Sequence, residues 1–222
     1  MTPKGYIFDY GGTLDTGGCH WGKVLWHGWQ RIGVPATEAQ FREAYVYAER
    51  TLGKNPIIQP DYTFRKTLET KVRLELDFLG LDGYAEAIVD SIYAETQRHT
   101  AHSREVLQQL QVPKVLVSNF YGNIATVLRE FGFDGLFQSI VESAVVGVRK
   151  PDPRIFTLGV EALGMQPGEV VVVGDSMDKD IIPARKAGCQ TVWVRGEQWT
   201  DDPVDEAFAD KVVDDLSELL RK

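Results

Sequence analysis

The sequence predicts an α/β fold in which a doubly wound parallel sheet carries an inserted, wholly helical unit. From Ser103 onwards, short apolar segments alternate with segments of helical periodicity, a pattern typical of parallel strands joined by crossover helices. The apolar segment before Asp9 has no neighbouring strand in sequence, so we expect it to join the same sheet. We therefore predict a Rossmann-like core domain of residues 1–15 and 101–222, and a helical domain of residues 16–100 inserted into it.

Four successive helices are predicted in the inserted unit, because apolar residues recur there at helical spacing. Thr37 and Gln40 form a capping box that opens the second helix, and Gly53 is placed to end it. Asp61 and Asp82 are the predicted N-caps of the third and fourth helices. The four apolar stripes are Trp21, Leu25, Trp29 and Ile32; Phe41, Ala44, Tyr45, Ala48 and Leu52; Phe64, Leu68, Val72, Leu76 and Leu79; and Tyr84, Ala87, Ile88 and Ile92.

The rest of the chain is predicted to alternate helix and strand. A short helix begins at Ser103, Gly132 ends the next one, and the Asp152-Pro153 pair opens a third that Gly164 closes. A further helix runs to Ala187 before Gly188, and a last strand and helix follow Ala209. The predicted strands lie at Lys114–Asn119, Leu136–Val141, Glu169–Gly174 and Gln190–Val194.

The composition excludes some classes of partner. Lys and Arg total 24 against 32 Asp and Glu, a net charge of −8 that argues against a nucleic-acid-binding or anionic-membrane-binding surface. No apolar run approaches the length of a membrane span, and no signal peptide is recognised, so a cytoplasmic protein is expected. Cys19 and Cys189 match no metal-ligand spacing and are expected to be reduced thiols. We expect a monomer or a weak homodimer.

Polar residues follow the ends of the predicted strands. Asp9, Ser118, Lys150, Asp175 and Asp180 each lie at such an end or in the loop beyond it, and these ends meet at one edge of a doubly wound sheet. A carboxylate there can attack phosphorus if positive charge offsets the repulsion between the two anions. Carboxylate and backbone carbonyl oxygens suit Mg²⁺, while a lysine and a hydroxyl suit phosphoryl oxygens.

Four motifs in this order resemble those of the haloacid dehalogenase (HAD) superfamily, most of whose members are Mg²⁺-dependent phosphohydrolases. The first, Asp-x-Asp-x-Thr, is matched by Asp9-Tyr10-Gly11-Gly12-Thr13 except at its second Asp. The second is matched by Ser118 at the end of a strand, and the third by the lysine of Val148-Arg149-Lys150-Pro151-Asp152-Pro153. The fourth is matched by Gly174-Asp175-Ser176-Met177-Asp178-Lys179-Asp180. The resemblance implies a HAD-like fold whose helical insertion is a cap that selects substrates.

The resemblance also implies roles for individual residues. Asp9 is the expected nucleophile and a Mg²⁺ ligand, together with the Gly11 carbonyl and Asp175. The expected catalytic set is Asp9, Lys150, Ser118 and Asp180, and the expected phosphate-binding set is Ser118, Asn119, Lys150 and Gly12. The implied substrate is a small phosphorylated metabolite, which would be cleaved through an aspartyl-phosphate intermediate.

Gly11 is the one departure from the motifs. In the family's phosphatases the second Asp protonates the leaving alkoxide and later activates water, help that is typically worth about 10²–10⁴-fold in rate. Gly11 can do neither. Another proton carrier, such as Asp15, His20 or a cap residue, or a substrate with a good leaving group, would compensate.

Three other functions are open at this stage. The phosphonate-cleaving branch of the family has a small residue at the second Asp position and uses a cap lysine, for which Lys54 is a possible counterpart. The dehalogenase branch needs no metal, so the metal-ligand character of Asp175 disfavours it. A non-catalytic phosphate- or metabolite-binding protein is the third alternative, which the intact nucleophile Asp9 disfavours.

Overall fold

The computed structural model describes residues 3–221, and six parallel strands form its sheet in the order β3-β2-β1-β4-β5-β6. The strands are β1 (Gly5–Phe8), β2 (Lys114–Ser118), β3 (Ser139–Glu142), β4 (Val170–Gly174), β5 (Gln190–Val194) and β6 (Lys211–Val213). The chain runs outward from β1 to β3 and then returns to β4 on the other side of β1. The β1/β4 boundary is therefore the topological switch point, where open α/β sheets bind ligands. The predicted α/β fold is confirmed.

Both faces of the sheet are covered. Ile7, Val115 and Val172 pack on one side against the helix that contains Gly159, and Phe8 and Leu116 belong to a larger apolar cluster on the other side. Strands buried on both faces need near-continuous apolar sequences, as the Val-rich β4 has. This packing fixes the carboxyl ends of β1, β2 and β4 relative to one another.

Four helices form the insertion: α1 (Trp21–Ile32), α2 (Glu38–Lys54), α3 (Phe64–Leu79) and α4 (Ala85–Gln109). The predicted capping box is present, since Thr37 Oγ1 accepts a hydrogen bond from the Gln40 backbone N–H and Gln40 Oε1 accepts one from the Thr37 backbone N–H. Gly53 does not end α2, which continues to Lys54. The N-caps of α3 and α4 are Thr63 and Tyr84 rather than the predicted aspartates. No helix within residues 3–221 is long and apolar enough to cross a membrane.

Helix α4 is longer than predicted. The separate helix expected from Ser103 is the C-terminal part of α4, and the predicted domain boundary at residues 100 and 101 falls inside this helix. The 25 residues of α4 contain neither glycine nor proline, and Thr96, Thr100 and Ser103 continue its buried face. Because these buried residues are polar, the pattern of apolar residues alone does not show that the helix is continuous.

The remaining helices are α5 (Ile124–Glu130), α6 (Ser143–Val146), α7 (Arg154–Leu163) and α8 (Ile182–Lys186). Gly164 ends α7 in the left-handed conformation, as predicted. A single π-helical turn at Met177–Ile181 precedes α8. Strand β3 begins three positions later than the predicted Leu136, and a 3₁₀ turn at Leu216–Leu220 replaces the predicted last helix.

A core loop after β5 reaches into the insertion and ends at Trp199. The Trp199 ring centroid lies 5.3 Å from that of His20 and 4.8 Å from that of Tyr45. The Arg42 guanidinium lies 4.2 Å from the Trp199 ring centroid and donates to the Trp199 carbonyl at 2.9 Å. A Cβ at Gly22 would lie 2.1 Å from the Trp199 ring, so α1 needs glycine at this position. Trp199 of the core thus contacts both α1 and α2.

Candidate active site

Asp9 is the first residue after β1, and its carboxylate lies at the centre of the site. Its backbone N–H donates to the Val173 carbonyl at 2.9 Å, which extends the pairing between β1 and β4 and fixes the position of Asp9. Oδ1 accepts a hydrogen bond from Lys150 Nζ, and Oδ2 lies 3.3 Å from Thr13 Oγ1. The side chain is only 6% exposed. The carboxylate of Asp9, the predicted nucleophile, is therefore buried and in contact with the Lys150 ammonium group.

Asp175 follows β4 and faces Asp9. Thr13 Oγ1 lies 3.1 Å from Asp175 Oδ1, so one hydroxyl is within hydrogen-bonding distance of both carboxylates. Trp193 donates from Nε1 to the Asp175 carbonyl at 2.6 Å and holds its backbone. Gly12 makes this approach possible: its φ is +100°, and a Cβ there would lie 2.3 Å from an Asp175 oxygen. Gly12, which was predicted to bind phosphate, is thus needed because a side chain at this position would displace the Asp175 carboxylate.

Lys150 bridges two carboxylates. Its Nζ donates to Asp180 Oδ1 at 2.7 Å as well as to Asp9, which confirms that Asp180 holds the lysine. Asp180 is itself fixed by the Ser176 backbone N–H, which donates to Oδ2 at 3.1 Å. Asn119 accepts from the Lys150 backbone N–H at 2.9 Å and donates to the Lys150 carbonyl at 3.1 Å. The Asn119 side chain therefore positions the lysine, and its contact with phosphate stays a prediction.

Burial shifts the protonation of this cluster. It raises the pKa of Asp9 to about 6 against the opposing effect of Lys150. Burial, with the Asp9 and Asp180 charges, raises the pKa of Asp175 well above its usual value. Burial alone would lower the pKa of Lys150, but Asp180 and Asp9 outweigh it and raise that pKa, so the lysine stays charged. One lysine therefore faces three buried carboxylates.

This excess of negative charge fits a divalent cation. Asp9, Asp175 and Asp180 offer carboxylate oxygens that lie within 4.8 Å of one another. Hard oxygen donors are the ligands that Mg²⁺ prefers, and a cation would favour the ionised form of Asp9 and Asp175. Both carboxylate oxygens of Asp180 already accept hydrogen bonds, from Lys150 and from the Ser176 backbone N–H. Within residues 3–221, Asp9 Oδ2 and Asp175 Oδ1 have only the Thr13 hydroxyl as a hydrogen-bond partner, so the Asp9 and Asp175 pair is the better-placed part of a metal site. The donor set suits the predicted metal.

Ser118 ends β2 and lines the same cavity as Asp9 and Lys150. This cavity has a volume of about 160 Å³ and lies between the sheet edge and the cap helices. The structure thus brings together every residue of the predicted catalytic set. Around that set the cavity wall also includes Gly11, Asn119, Asp175 and Ser176.

Gly11 faces the cap rather than the carboxylate cluster. A Cβ at this position would lie 3.5 Å from Cδ1 and Nε1 of Trp21, which is ordinary van der Waals contact. The Gly11 φ is not positive, unlike that of Gly12. A side chain at residue 11 would therefore fit the backbone, and the Trp21 indole borders the space it would enter.

Asp15 and His20 are both held in place by neighbouring groups. Asp15 accepts from the Gly12 backbone N–H at 2.7 Å and from Trp21 Nε1 at 3.0 Å, and it contributes nothing to the cavity wall. Burial raises the pKa of Asp15 to about 8. His20 does line the cavity, but its Nδ1 accepts from the Gly22 backbone N–H at 3.0 Å, and burial lowers its pKa to about 4. At neutral pH His20 is uncharged and has no acidic proton to give.

An ion pair on the cap side of the cavity was not predicted from the sequence. Lys71 from α3 donates to Glu49 Oε1 from α2, and Tyr121 from the core donates to the same oxygen at 3.0 Å. Burial lowers the pKa of Lys71, but Glu49 outweighs it and the pKa is raised overall. The sequence contains one indication of this ion pair, because Lys71 lies beside the apolar residues Leu68 and Val72 on the buried face of α3. The lysine predicted instead, Lys54, lines a separate groove on the outer surface of the cap.

Comparison with known proteins agrees with this geometry. The sequence profile of the haloacid dehalogenase-like hydrolases matches residues 3–188. The chain belongs to the haloacid dehalogenase-like hydrolases. It is 27% identical over 211 residues to a phosphoserine phosphatase of Thermus thermophilus, an alignment that covers 90% of this chain and 76% of that protein. It is 40% identical over 95 residues to a glyceraldehyde 3-phosphate phosphatase of Methanopyrus kandleri, which covers 42% of this chain and 41% of that protein.

Solved structures of HAD-like hydrolases share the fold. A dehalogenase crystallised with an intermediate complex superposes with a TM-score of 0.64 at 21% identity, covering 98% of this chain and 96% of that one. At this identity the likeness concerns the fold alone. The roles of individual residues in this HAD-like hydrolase rest on its own geometry.

Proposed function

We propose that this HAD-like hydrolase is a Mg²⁺-dependent phosphatase that cleaves small phosphorylated metabolites through an aspartyl phosphate on Asp9. The observation that carries the proposal is the contact of the Asp9 carboxylate with Lys150 beside Asp175, in the wall of the cavity. A nucleophilic carboxylate, a fixed cation and a metal-ligand set are what attack on a phosphate dianion needs. Named relatives that act as phosphatases support this choice among the reactions of the family.

Each of the chain's own groups has a role in the first step. Asp9 attacks phosphorus in line with the leaving oxygen, Lys150 offsets charge on the phosphoryl oxygens, and Ser118 donates a hydrogen bond to one of them. Asp180 keeps Lys150 beside Asp9. Mg²⁺ held by Asp9, Asp175 and the Gly11 carbonyl would supply positive charge that lowers the repulsion between nucleophile and substrate.

Lys71 also bears on the choice among the family's reactions. A Schiff base needs a neutral amine, and Glu49 keeps Lys71 protonated, which disfavours phosphonate cleavage by this cap lysine. Lys54 lines an outer groove that is separate from the Asp9 cavity. Phosphoester hydrolysis is therefore the better-supported reaction.

The test is phosphate release from a broad panel of phosphorylated metabolites and aryl phosphates, with and without Mg²⁺. We expect release that requires Mg²⁺ and that Asp9→Asn abolishes, while Asp178→Asn, a change to an exposed carboxylate of the same motif, leaves it intact. Tight binding of phosphorylated ligands without turnover of any of them would instead identify a non-catalytic binding protein.

A further inference from the structure

We propose that this site is selective for phosphate esters of planar aromatic alcohols, whose oxygen departs as a stabilised anion. This inference rests on the phosphatase activity proposed above and specifies its substrate class. Two independent features of the site carry it: none of Asp15, Glu49 and His20 is free to act as a general acid, and aromatic side chains line the cavity beside Gly11.

The missing acid has no substitute among the carboxylates and the histidine around the cavity. Gly11 carries no side chain, and Asp15, which does not line the cavity, is bonded to Gly12 and Trp21. Glu49 is bonded to Lys71 and Tyr121. His20 uses Nδ1 as an acceptor, so its neutral ring carries the hydrogen on Nε2, where it can donate a hydrogen bond but not a proton.

Aromatic rings form the opposing wall. The Trp21 indole borders Gly11, and its ring centroid lies 5.6 Å from that of Phe64, which also lines the cavity. Phe120 and Tyr45 also line the cavity. Aromatic rings favour offset or edge contacts with another planar ring, each worth about 0.5–1.5 kcal/mol beyond its area. The space left by the absent acid is therefore bordered by a surface that suits an aromatic leaving group.

The two features are complementary in chemical terms. In the first step the bond between Asp9 Oδ and phosphorus forms, and the bond between phosphorus and the ester oxygen breaks. The ester oxygen keeps the electron pair. An alkoxide leaving without a proton is a poor leaving group, whereas an aryloxide delocalises the charge, with a conjugate acid of pKa about 10 as in tyrosine. The aryloxide then takes its proton from water.

The second step also proceeds without a carboxylate at residue 11. Water attacks phosphorus, the bond to Asp9 breaks, the carboxylate is regenerated, and the water proton passes to the phosphate or to solvent. This step has the same rate for every ester, because the leaving group has already departed. With no general base at residue 11 this step is expected to be slower than the first step with a good aryl leaving group, which should produce a burst of the phenol before steady turnover.

The experiment compares kcat/KM for 4-nitrophenyl, phenyl and ethyl phosphate in the wild type, Gly11→Asp and Gly11→Asn. The Cβ of either variant fits the backbone, and asparagine matches aspartate in shape but supplies no acid. We expect the wild-type kcat/KM to fall steeply from nitrophenyl to ethyl phosphate. Gly11→Asp should exceed Gly11→Asn on ethyl phosphate by about 10²-fold or more, the typical effect of a general acid, and by far less on 4-nitrophenyl phosphate.

A second set of variants tests the aromatic wall separately. Trp21→Leu should lower the preference for phenyl phosphate over acetyl phosphate, a non-aromatic mixed anhydride with a good leaving group, by about 2- to 10-fold. Phe120→Leu, at a partly exposed position, repeats this measurement without removing the hydrogen bond to Asp15. An unchanged preference in both variants would overturn the aromatic part of the proposal.

The results distinguish a failure of the proposed substrate class from a failure of the proposed phosphatase activity. Wild-type cleavage of ethyl phosphate within tenfold of nitrophenyl phosphate, or equal gains in Gly11→Asp and Gly11→Asn, would overturn the substrate class and leave the phosphatase intact. Absence of Mg²⁺-dependent release from every ester, with Asp9→Asn indistinguishable from the wild type, would overturn both.

Discussion

Glu75 in α3 allows a quantitative test of burial. Its side chain is fully buried, and neither carboxylate oxygen has a hydrogen-bond partner. Burial raises its pKa from 4.5 to about 8, against the opposing charge of Lys71. We therefore expect Glu75 to be protonated in the folded protein at neutral pH and ionised in the unfolded chain.

The sign of the effect follows from this difference. A carboxyl whose pKa is raised by folding leaves stability intact below pH 4.5 and lowers it progressively as pH rises to about 8. Each pH unit in this window costs about 1.4 kcal/mol, so the total approaches about 5 kcal/mol. Glu75→Gln keeps the shape of the protonated acid and does not titrate. The free energy of unfolding of Glu75→Gln relative to wild type should therefore increase across the window and level off above it.

Urea unfolding at several pH values between about 5 and 8, followed by circular dichroism, measures this difference directly. Glu43→Gln, an exposed glutamate on α2, is the matched control and should show no such slope. A difference between Glu75→Gln and wild type that stays constant across the pH range would refute the reasoning.

Three further predictions concern the metal, the loop glycine and the cap contact. Mg²⁺ at 100 times its dissociation constant should stabilise the wild type by about 2.7 kcal/mol in a thermal-shift assay. It should not stabilise Asp175→Asn, and the effect should weaken below about pH 6, where Asp9 is protonated. Gly12→Ala should abolish this Mg²⁺ shift, because its Cβ would displace the Asp175 carboxylate, and retention of a full shift would contradict the clash. Trp199→Leu should lower the free energy of unfolding by about 1–3 kcal/mol and speed hydrogen exchange in α1 and α2. Thr200→Ala should change neither quantity, and unchanged exchange in Trp199→Leu would show that the ring does not hold the cap.

The parts of the fold and site that follow strand ends were predictable from sequence. Asp9, Ser118 and Asp175 each come directly after or at the end of an apolar strand, and parallel strands necessarily bring such ends together. The pairing of Lys150 with Asp180 followed from charge and from the neighbouring loops. These inferences needed only local periodicity and one rule of topology.

The cap side of the site was not predictable in the same way. Lys71, Glu49 and Tyr121 come from two helices and a core loop, and no periodicity states which faces of those elements meet. The role of Asp15 was equally hidden, because its partner Trp21 begins a helix whose orientation depends on packing. Helix ends also shifted by a few residues, since capping by Thr63 competed with the nearby Asp61.

The continuity of α4 has a consequence for how substrate reaches Asp9. Its 25 residues form a rod about 37 Å long that passes from the cap into the core without a glycine or proline at which to bend. The other connection, by contrast, contains Gly17 and Gly18, both with positive φ. The first connection is thus a continuous helix, whereas the second turns at two glycines. We therefore expect any motion that opens the cavity to bend the chain at this glycine pair rather than within α4.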